Sequence, residues 1–195
     1  MIFYENALRL RIPYHDIYRI HQNLDFFIQE KCRVRMPYSF KIMPASAGSN
    51  DAAVFFRTIQ SLALPGERKK DVLLKTGDIA RFTTSLAVIQ HRIEGNKQIT
   101  LPPERIEEYA RKRLEGAGFR VQTLVVDETH NVIVKSRKTT RGPSILIPAA
   151  VIHTTCSVTS VEEAEKALVY GIGKKRIFGF GFLEAFRVNG TDEFF

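Results

Sequence analysis

Leu8, Leu10 and Ile12 alternate with Arg9 and Arg11 near the start of the chain. Successive side chains of a strand point to opposite faces, so residues 2–12 predict a half-buried strand with its arginines outward. The period then changes. Tyr14, Ile17, Ile20 (or His21), Leu24, Phe27 and Ile28 recur at three- and four-residue steps, which predicts an amphipathic helix over 14–30. Pro13 and Asp16 mark its start. Residues 37–60 read as a hairpin, PYSFKIMP and AAVFFRTIQ around the turn cluster ASAGSND. A loop at 65–71 precedes VLLKT, a turn at Gly77-Asp78 and a long strand over 80–92.

The second half has the same order of elements. Residues 93–103 are linker-like, and a helix starts after Pro102-Pro103 and stops at Gly116–Gly118. FRVQTLVVDE and NVIVKSRK predict two strands joined by a turn at 129–131. SILIPAAVIHTTCSV predicts a long strand, and Pro148 marks it as an edge or bulged one. Ser160 caps a third helix with Glu162 and Glu163 in its first turn and Gly171 at its end. A glycine-rich stretch feeds the last strand. Each half is thus a β-α-β-β-(α)-β unit, with the second helix missing from the first half. The economical reading is an α+β chain of two tandem ferredoxin-like (RRM-like) modules with antiparallel sheets, 1–92 and 93–195. A single mixed domain with one larger sheet is the other.

Composition narrows the partners. A chain of 195 residues that is 44% hydrophobic can bury a sizeable core in one or two domains. Its 29 Lys and Arg against 21 Asp and Glu leave a net charge of +8, which favours a polyanion as partner. The two cysteines, Cys32 and Cys156, make no disulfide framework and no CxxC or CxxH metal arrangement. Glu5, Arg9 and Arg11 interrupt the first apolar run, and no stretch approaches the roughly 20 apolar residues of a membrane span, so a cytoplasmic protein is expected.

Three features suit chemistry on a phosphate. Tyr18 and His21 are three residues apart on one helix face, with His15 before them. An imidazole beside a phenol and arginines suits proton transfer, although a half-buried aromatic face has the same spacing. Gly171, Gly173, Gly179 and Gly181 enclose Lys174, Lys175 and Arg176. Glycines let a backbone approach a ligand closely, and the cations attract phosphate, although a helix stop followed by a glycine-rich strand also fits. The stretch is neither a Walker loop nor a dinucleotide fingerprint. Lys135, Arg137, Lys138 and Arg141 crowd one projecting turn, which is either a nucleic-acid contact or a solvated loop. Arg9 and Arg11 could line a groove. His91, His130 and His153 lack metal-ligand spacing and read as structural. No nucleophile triad, paired catalytic carboxylates or HExxH is visible, and no metal or cofactor is expected.

These residues resemble a known family. Tyr18, His21 and Leu24 form the pattern Y-x-x-H-x-x-L, and IARFTTSLAVIQHR follows Lys75-Thr76-Gly77-Asp78. ALVYGIGKKRIFGFGFL is similar to a glycine-rich signature in which a helix ends at G-I-G and a basic residue precedes a G-x-G-L-L strand. Together they resemble the CRISPR-associated precursor-RNA endoribonucleases of the CasE (Cse) type, in the RAMP superfamily. The likeness is dense at both ends of the chain and rests on element order between them. Phe180, Phe182 and Arg176 depart from the usual small residue, leucine and lysine. The resemblance implies a metal-independent enzyme without cofactors that binds CRISPR repeat stem-loop RNA and cuts once at the stem base. The substrate's 2′-hydroxyl attacks, leaving a cyclic phosphate. His21 and Tyr18 would be catalytic, while Lys174–Arg176 and the basic hairpin hold RNA. It also implies assembly with subunits of a type I-E or related effector complex. A non-catalytic RNA-binding subunit and a generic RRM-like protein are the alternatives.

Overall fold

The computed structural model describes residues 1–91, 98–135 and 144–194. Two antiparallel sheets carry the chain. The first contains β1 (Ile2–Pro13), β2 (Ser39–Pro44), β3 (Asp51–Thr58) and β4 (Arg68–Asp71), in the order β2-β3-β1-β4. The second contains β5 (Ile79–Ala87), β8 (Phe119–Lys135), β9 (Ser144–Val158), β10 (Glu184–Val188) and β11 (Thr191–Phe194), in the order β11-β10-β5-β9-β8. Two short strands, β6 (Ile89–His91) and β7 (Gln98–Thr100), pair with each other.

Among the described residues three α-helices cover the sheets: α1 (Ile17–Phe26), α2 (Ile106–Glu115) and α3 (Val161–Tyr170). The connectivities β1-α1-β2-β3-β4 and β5-α2-β8-β9-α3-β10 are two tandem ferredoxin-like units, the expected fold class. Sheet membership changes between β4 and β5, so residues 79–87 pair in the second sheet, ahead of the division expected at 92/93.

Each helix follows from its sequence. The Asp16 carboxylate accepts the Arg19 amide at 3.4 Å and caps α1, whose Ile20 and Leu24 are buried. Its last turn widens into a π turn over Phe27–Lys31 that keeps Ile28 buried. In α2, Glu107 and Glu108 lie in the first turn and Lys112 and Arg113 in the last, matching the helix dipole. Ser160 caps α3, and Gly171 ends it at a φ of 73°.

Several expectations are corrected. Residues 68–71 are not loop but the edge strand β4, because their backbone pairs with Ile2–Glu5. The turn expected at 129–131 does not form. Thr129, His130 and Asn131 pair with Ala150, Ala149 and Pro148, so the two expected strands are one strand, β8, of 17 residues. Polar residues there reflect the exposure of a strand without a second neighbour, not a chain reversal. The strand expected over 80–92 leaves the sheet after Ala87, where the Val88 amide donates to the Pro148 carbonyl at 2.9 Å. Pro148 itself lies beyond the last β5–β9 pair, Ala87 with Ala149, where one edge of β9 is open and a missing N–H costs no ladder bond.

The larger core lies under the second sheet, where Phe82, Phe119 and Phe186 pack with ring centroids 5.2–6.4 Å apart. A smaller core joins α1 to the first sheet through Ile20, Leu24, Ile28, Val54 and Phe56.

The two units are joined by a buried charge. Arg57 of β3 is 0% exposed. Its Nε donates to Glu5 at 2.9 Å. Its Nη1 donates to the carbonyls of Leu183 at 2.7 Å and Leu168 at 3.2 Å, both in the second unit. Arg57→Ala leaves the buried Glu5 with only the more distant Lys70 ammonium, 3.8 Å away, and should cost about 3–5 kcal/mol in urea unfolding. A loss below about 1 kcal/mol, the worth of a surface pair, would show that the network does not hold the units together.

Candidate active site

The chain brings its two most informative motifs together. The Tyr18–His21 face of α1 packs against the loop that follows α3. The His21 ring stacks on Phe40 of β2, with centroids 6.5 Å apart and planes at 4°. It meets Phe178 of the loop edge-on at 6.1 Å. Tyr18 is half-buried and packs, with Ile17 and Phe178, on a cluster that includes Val134, Ile147 and Phe180. Val134 and Ile147 belong to the part of the β8–β9 ladder that runs on past the end of β5, an arm of two strands. Helix, glycine-rich loop and arm therefore converge at one place, although they are far apart in sequence.

A carboxylate completes the histidine's surroundings. His21 Nε2 lies 3.4 Å from Asp25 Oδ2, one helical turn on. Tyr38 donates its hydroxyl to Asp25 Oδ1 at 2.5 Å. Burial, reinforced by that hydrogen bond and the carboxylate's charge, pushes the Tyr38 phenol above its ordinary range, so it stays a donor. Nδ1 of His21 is buried without a hydrogen-bond partner. An imidazole held at one nitrogen by a carboxylate, which is fixed by a second donor, is the usual arrangement for orienting a proton-transfer group. Neither Asp25 nor Tyr38 was singled out in the sequence. The four-residue step from His21 to Asp25 was the available signal, whereas Tyr38 enters only through the fold.

The glycines form the loop rather than a strand. Gly171, Gly173, Gly179 and Gly181 all have φ between 73° and 86°. Gly179 and Gly181 were expected inside a strand, but β10 begins only at Glu184, because the preceding chain turns through the short 3-10 helix Arg176–Phe178. The Ile172 amide donates to the Gly181 carbonyl at 2.9 Å, and the Gly181 amide donates to Ser85 of β5 at 2.8 Å. A Cβ on Gly181 would lie 1.8 Å from the Ile172 carbonyl oxygen. A Cβ on Gly171 would in turn lie 2.9 Å from the Gly181 carbonyl oxygen, so Gly171 and Gly181 serve close backbone packing. Lys174 and Lys175 are half-buried. Burial lowers the Lys174 pKa, and Arg113 and Lys175 beside it act the same way. Arg176 donates to the Tyr170 carbonyl at 3.2 Å, closing the C-terminus of α3.

The other expected contacts are dispersed. Arg9 and Arg11 are exposed on β1, and Arg9 pairs with Asp51 at 3.3 Å. Lys135 is exposed at the tip of β8. Arg137, Lys138 and Arg141 lie outside the described residues. Among the described residues no three His, Cys, Asp or Glu side chains gather as a metal site, and no helix is long and apolar enough to cross a membrane.

Gly181→Ala should lower stability toward the upper end of the usual range of about 0.5–3 kcal/mol for point substitutions. Gly48→Ala, at a similar φ but with nothing within 4 Å, should cost distinctly less. Equal melting temperatures for the two variants would contradict the close-packing role.

A family model described as "CRISPR associated protein" matches residues 56–185. No curated protein matches the chain. Among solved structures, the CRISPR endoribonuclease Cse3 bound to a 19-nucleotide RNA is 17% identical, with a TM-score of 0.72 and coverage of 96% of this chain and 98% of that one. The CRISPR-associated protein Cas6e from Escherichia coli K-12 is 16% identical, with a TM-score of 0.63 and coverage of 94% and 98%. A chain of a CRISPR RNA-guided surveillance complex is 17% identical, with a TM-score of 0.65 and coverage of 93% and 97%.

Proposed function

The chain belongs to the CRISPR-associated protein family, and from that premise we propose that it is a metal-independent endoribonuclease acting on CRISPR repeat stem-loop RNA. The observation that carries the reading is the packing of His21 against Phe178, which brings a carboxylate-oriented imidazole to the loop bearing Lys174, Lys175 and Arg176. The likeness in fold to an RNA-bound endoribonuclease supports it.

The reaction needs no protein nucleophile. The 2′-hydroxyl upstream of the cut attacks the adjacent phosphorus, and the bond from phosphorus to the 5′ oxygen breaks. One proton leaves the attacking hydroxyl and one joins the departing oxygen, giving a 2′,3′-cyclic phosphate and a 5′-hydroxyl. His21 carries one of these protons, and Asp25 offsets the charge that its ring takes on. Tyr18 positions the substrate or assists the transfer. Lys174, Lys175 and Arg176 offset charge on the phosphorane or hold the stem backbone. Lys135, Arg137, Lys138 and Arg141 grip the stem, and Arg9 and Arg11 add charge along the first sheet. Gly171, Gly173, Gly179 and Gly181 fix the loop that presents the cations. After cutting, the enzyme keeps its product and joins an effector complex of type I-E or a related type. The likeness to a surveillance-complex chain supports that step.

The test is a cleavage assay in EDTA on the repeat RNA of the source genome, with product ends identified by mass. Wild type should cut once and leave a cyclic phosphate, and His21→Ala should bind without cutting. A 2′-deoxy sugar upstream of the cut should block cleavage, and normal cutting of it would rule out internal attack. Tight binding without cutting by the wild type would identify a non-catalytic RNA-binding subunit instead. Asp25→Asn should slow single-turnover cleavage by about 10–100-fold, the usual effect of losing an orienting partner, with RNA affinity unchanged. An undiminished rate would remove Asp25 from the mechanism.

A further inference from the structure

The glycine-rich loop crosses from one face of the second sheet to the other. Leu86 and Ala150, opposite each other on β5 and β9, pack with α2, α3 and Ile172 at the start of the loop. Ala87 and Ala149, one residue along, point the other way and pack with Phe178 and Phe180 near its end. The start of the loop therefore lies on the helix-covered face, and its end lies on the face where Phe178 meets His21.

An open cleft of about 380 Å³ lies on the helix-covered face, between the C-terminal end of α2, α3 and Gly171–Gly173. Most charges around it are spent on neighbours. Lys112 pairs with Glu108 at 2.6 Å, and Lys166 pairs with Glu162 at 2.7 Å and Glu163 at 2.9 Å. Arg176 donates to the Tyr170 and Gly171 carbonyls. Arg113 differs because the residue one turn before it is Tyr109 rather than a glutamate. Its Cζ rests 4.8 Å from the centre of that ring, a contact that uses none of its N–H donors. Lys174 follows Gly173 at the rim. Among the described residues neither Arg113 nor Lys174 has a hydrogen-bond or carboxylate partner. They are close enough that Arg113, with Lys175, adds to the effect of burial in lowering the Lys174 pKa. Three cations thus crowd one end of the cleft without a counter-charge. Lys175 also holds a φ of 59°, a strained conformation for a lysine where glycine would be unstrained.

We infer that Arg113, Lys174 and Lys175 form a second phosphate-binding site at the mouth of the α2–α3 cleft, and that it holds the single strand of RNA downstream of the cut. The inference rests on the proposed function and deepens it by naming the part of the substrate that passes here. The stem is assigned to the β8–β9 arm, whose Val134 and Ile147 pack on the same side as Tyr18. The cleft opens on the opposite face, so the segment that reaches it is the strand leaving the scissile phosphate, crossing the loop at Lys175. Separate cations along an open path suit successive phosphates of a flexible strand.

The experiment compares two labelled repeat RNAs by fluorescence anisotropy at several salt concentrations. One ends at the cut. The other continues for about six nucleotides, within the usual span of a single-strand site, and carries a 2′-deoxy sugar before the cut so that it stays intact. Wild type should bind the longer RNA about tenfold more tightly, the effect of one or two charge-assisted contacts. Arg113→Gln should lose most of that gain while binding the shorter RNA as wild type does. Its salt slope on the longer RNA should be shallower by about 0.7, one single-strand phosphate contact. An undiminished gain in Arg113→Gln, with matching melting temperatures, overturns the site. Equal weakening of both RNAs would place Arg113 against the stem and overturn the downstream assignment. Equal binding of both RNAs by wild type overturns this site alone, whereas binding of neither overturns the proposed function and the site with it.

Discussion

The arrangement depends on one buried guanidinium. Arg57 carries its charge into a fully buried place between Phe3 and Phe182, with the latter ring 4.3 Å away. Burial lowers its pKa, and Glu5 beside it opposes that shift. The cost of desolvation is offset only if every donor is aimed at an acceptor, and the acceptors come from both units: Glu5 in the first, Leu168 and Leu183 in the second. Apolar packing tolerates sliding, whereas a buried charge does not. Arg57 therefore fixes a relative position as well as stabilising a contact.

That position makes the candidate active site. Leu168 belongs to α3 and Leu183 follows the glycine-rich loop, so Arg57 holds both ends of the segment that carries Lys174–Arg176. Ser39 adds a hydrogen bond of 2.7 Å to the Val169 carbonyl, and Lys41 pairs with Glu184. Phe40 lies between these two residues. One face of its ring takes His21, and Gly179 packs close against it. The strand that is pinned to the second unit thus carries the ring that supports the imidazole. Moving the units apart would separate His21 from the loop that carries Lys174, Lys175 and Arg176.

Much of this was legible in the sequence, and the limits have physical causes. Alternation and helical period identified β1, α1, the β2–β3 hairpin, α2 and α3, because each buries one face and exposes the other. The failures fall on two kinds of segment. β4 has the composition of a loop, since an edge strand of four residues buries almost nothing. β8 has polar residues in its middle because it is an edge strand paired with β9 alone, so a turn was expected where the ladder runs on. Tyr18, His21 and the glycine loop stood out as motifs. Asp25, Tyr38 and Arg57 did not, because their meaning comes from partners brought together by folding.

The two histidines show why spacing alone cannot assign chemistry. Each lies beside an aspartate, yet the surroundings differ. His21 is enclosed by Phe40 and Phe178, with Nδ1 buried and Asp25 tied down by Tyr38. A ring so confined is screened from bulk water, as the proposed proton transfer at a bound phosphate requires. His153 is about half exposed on an open sheet, and both its nitrogens are already occupied. With both nitrogens engaged, the ring is held in one orientation on the sheet. Enclosure, which depends on the joint between the units, is what distinguishes the surroundings of His21 from those of His153.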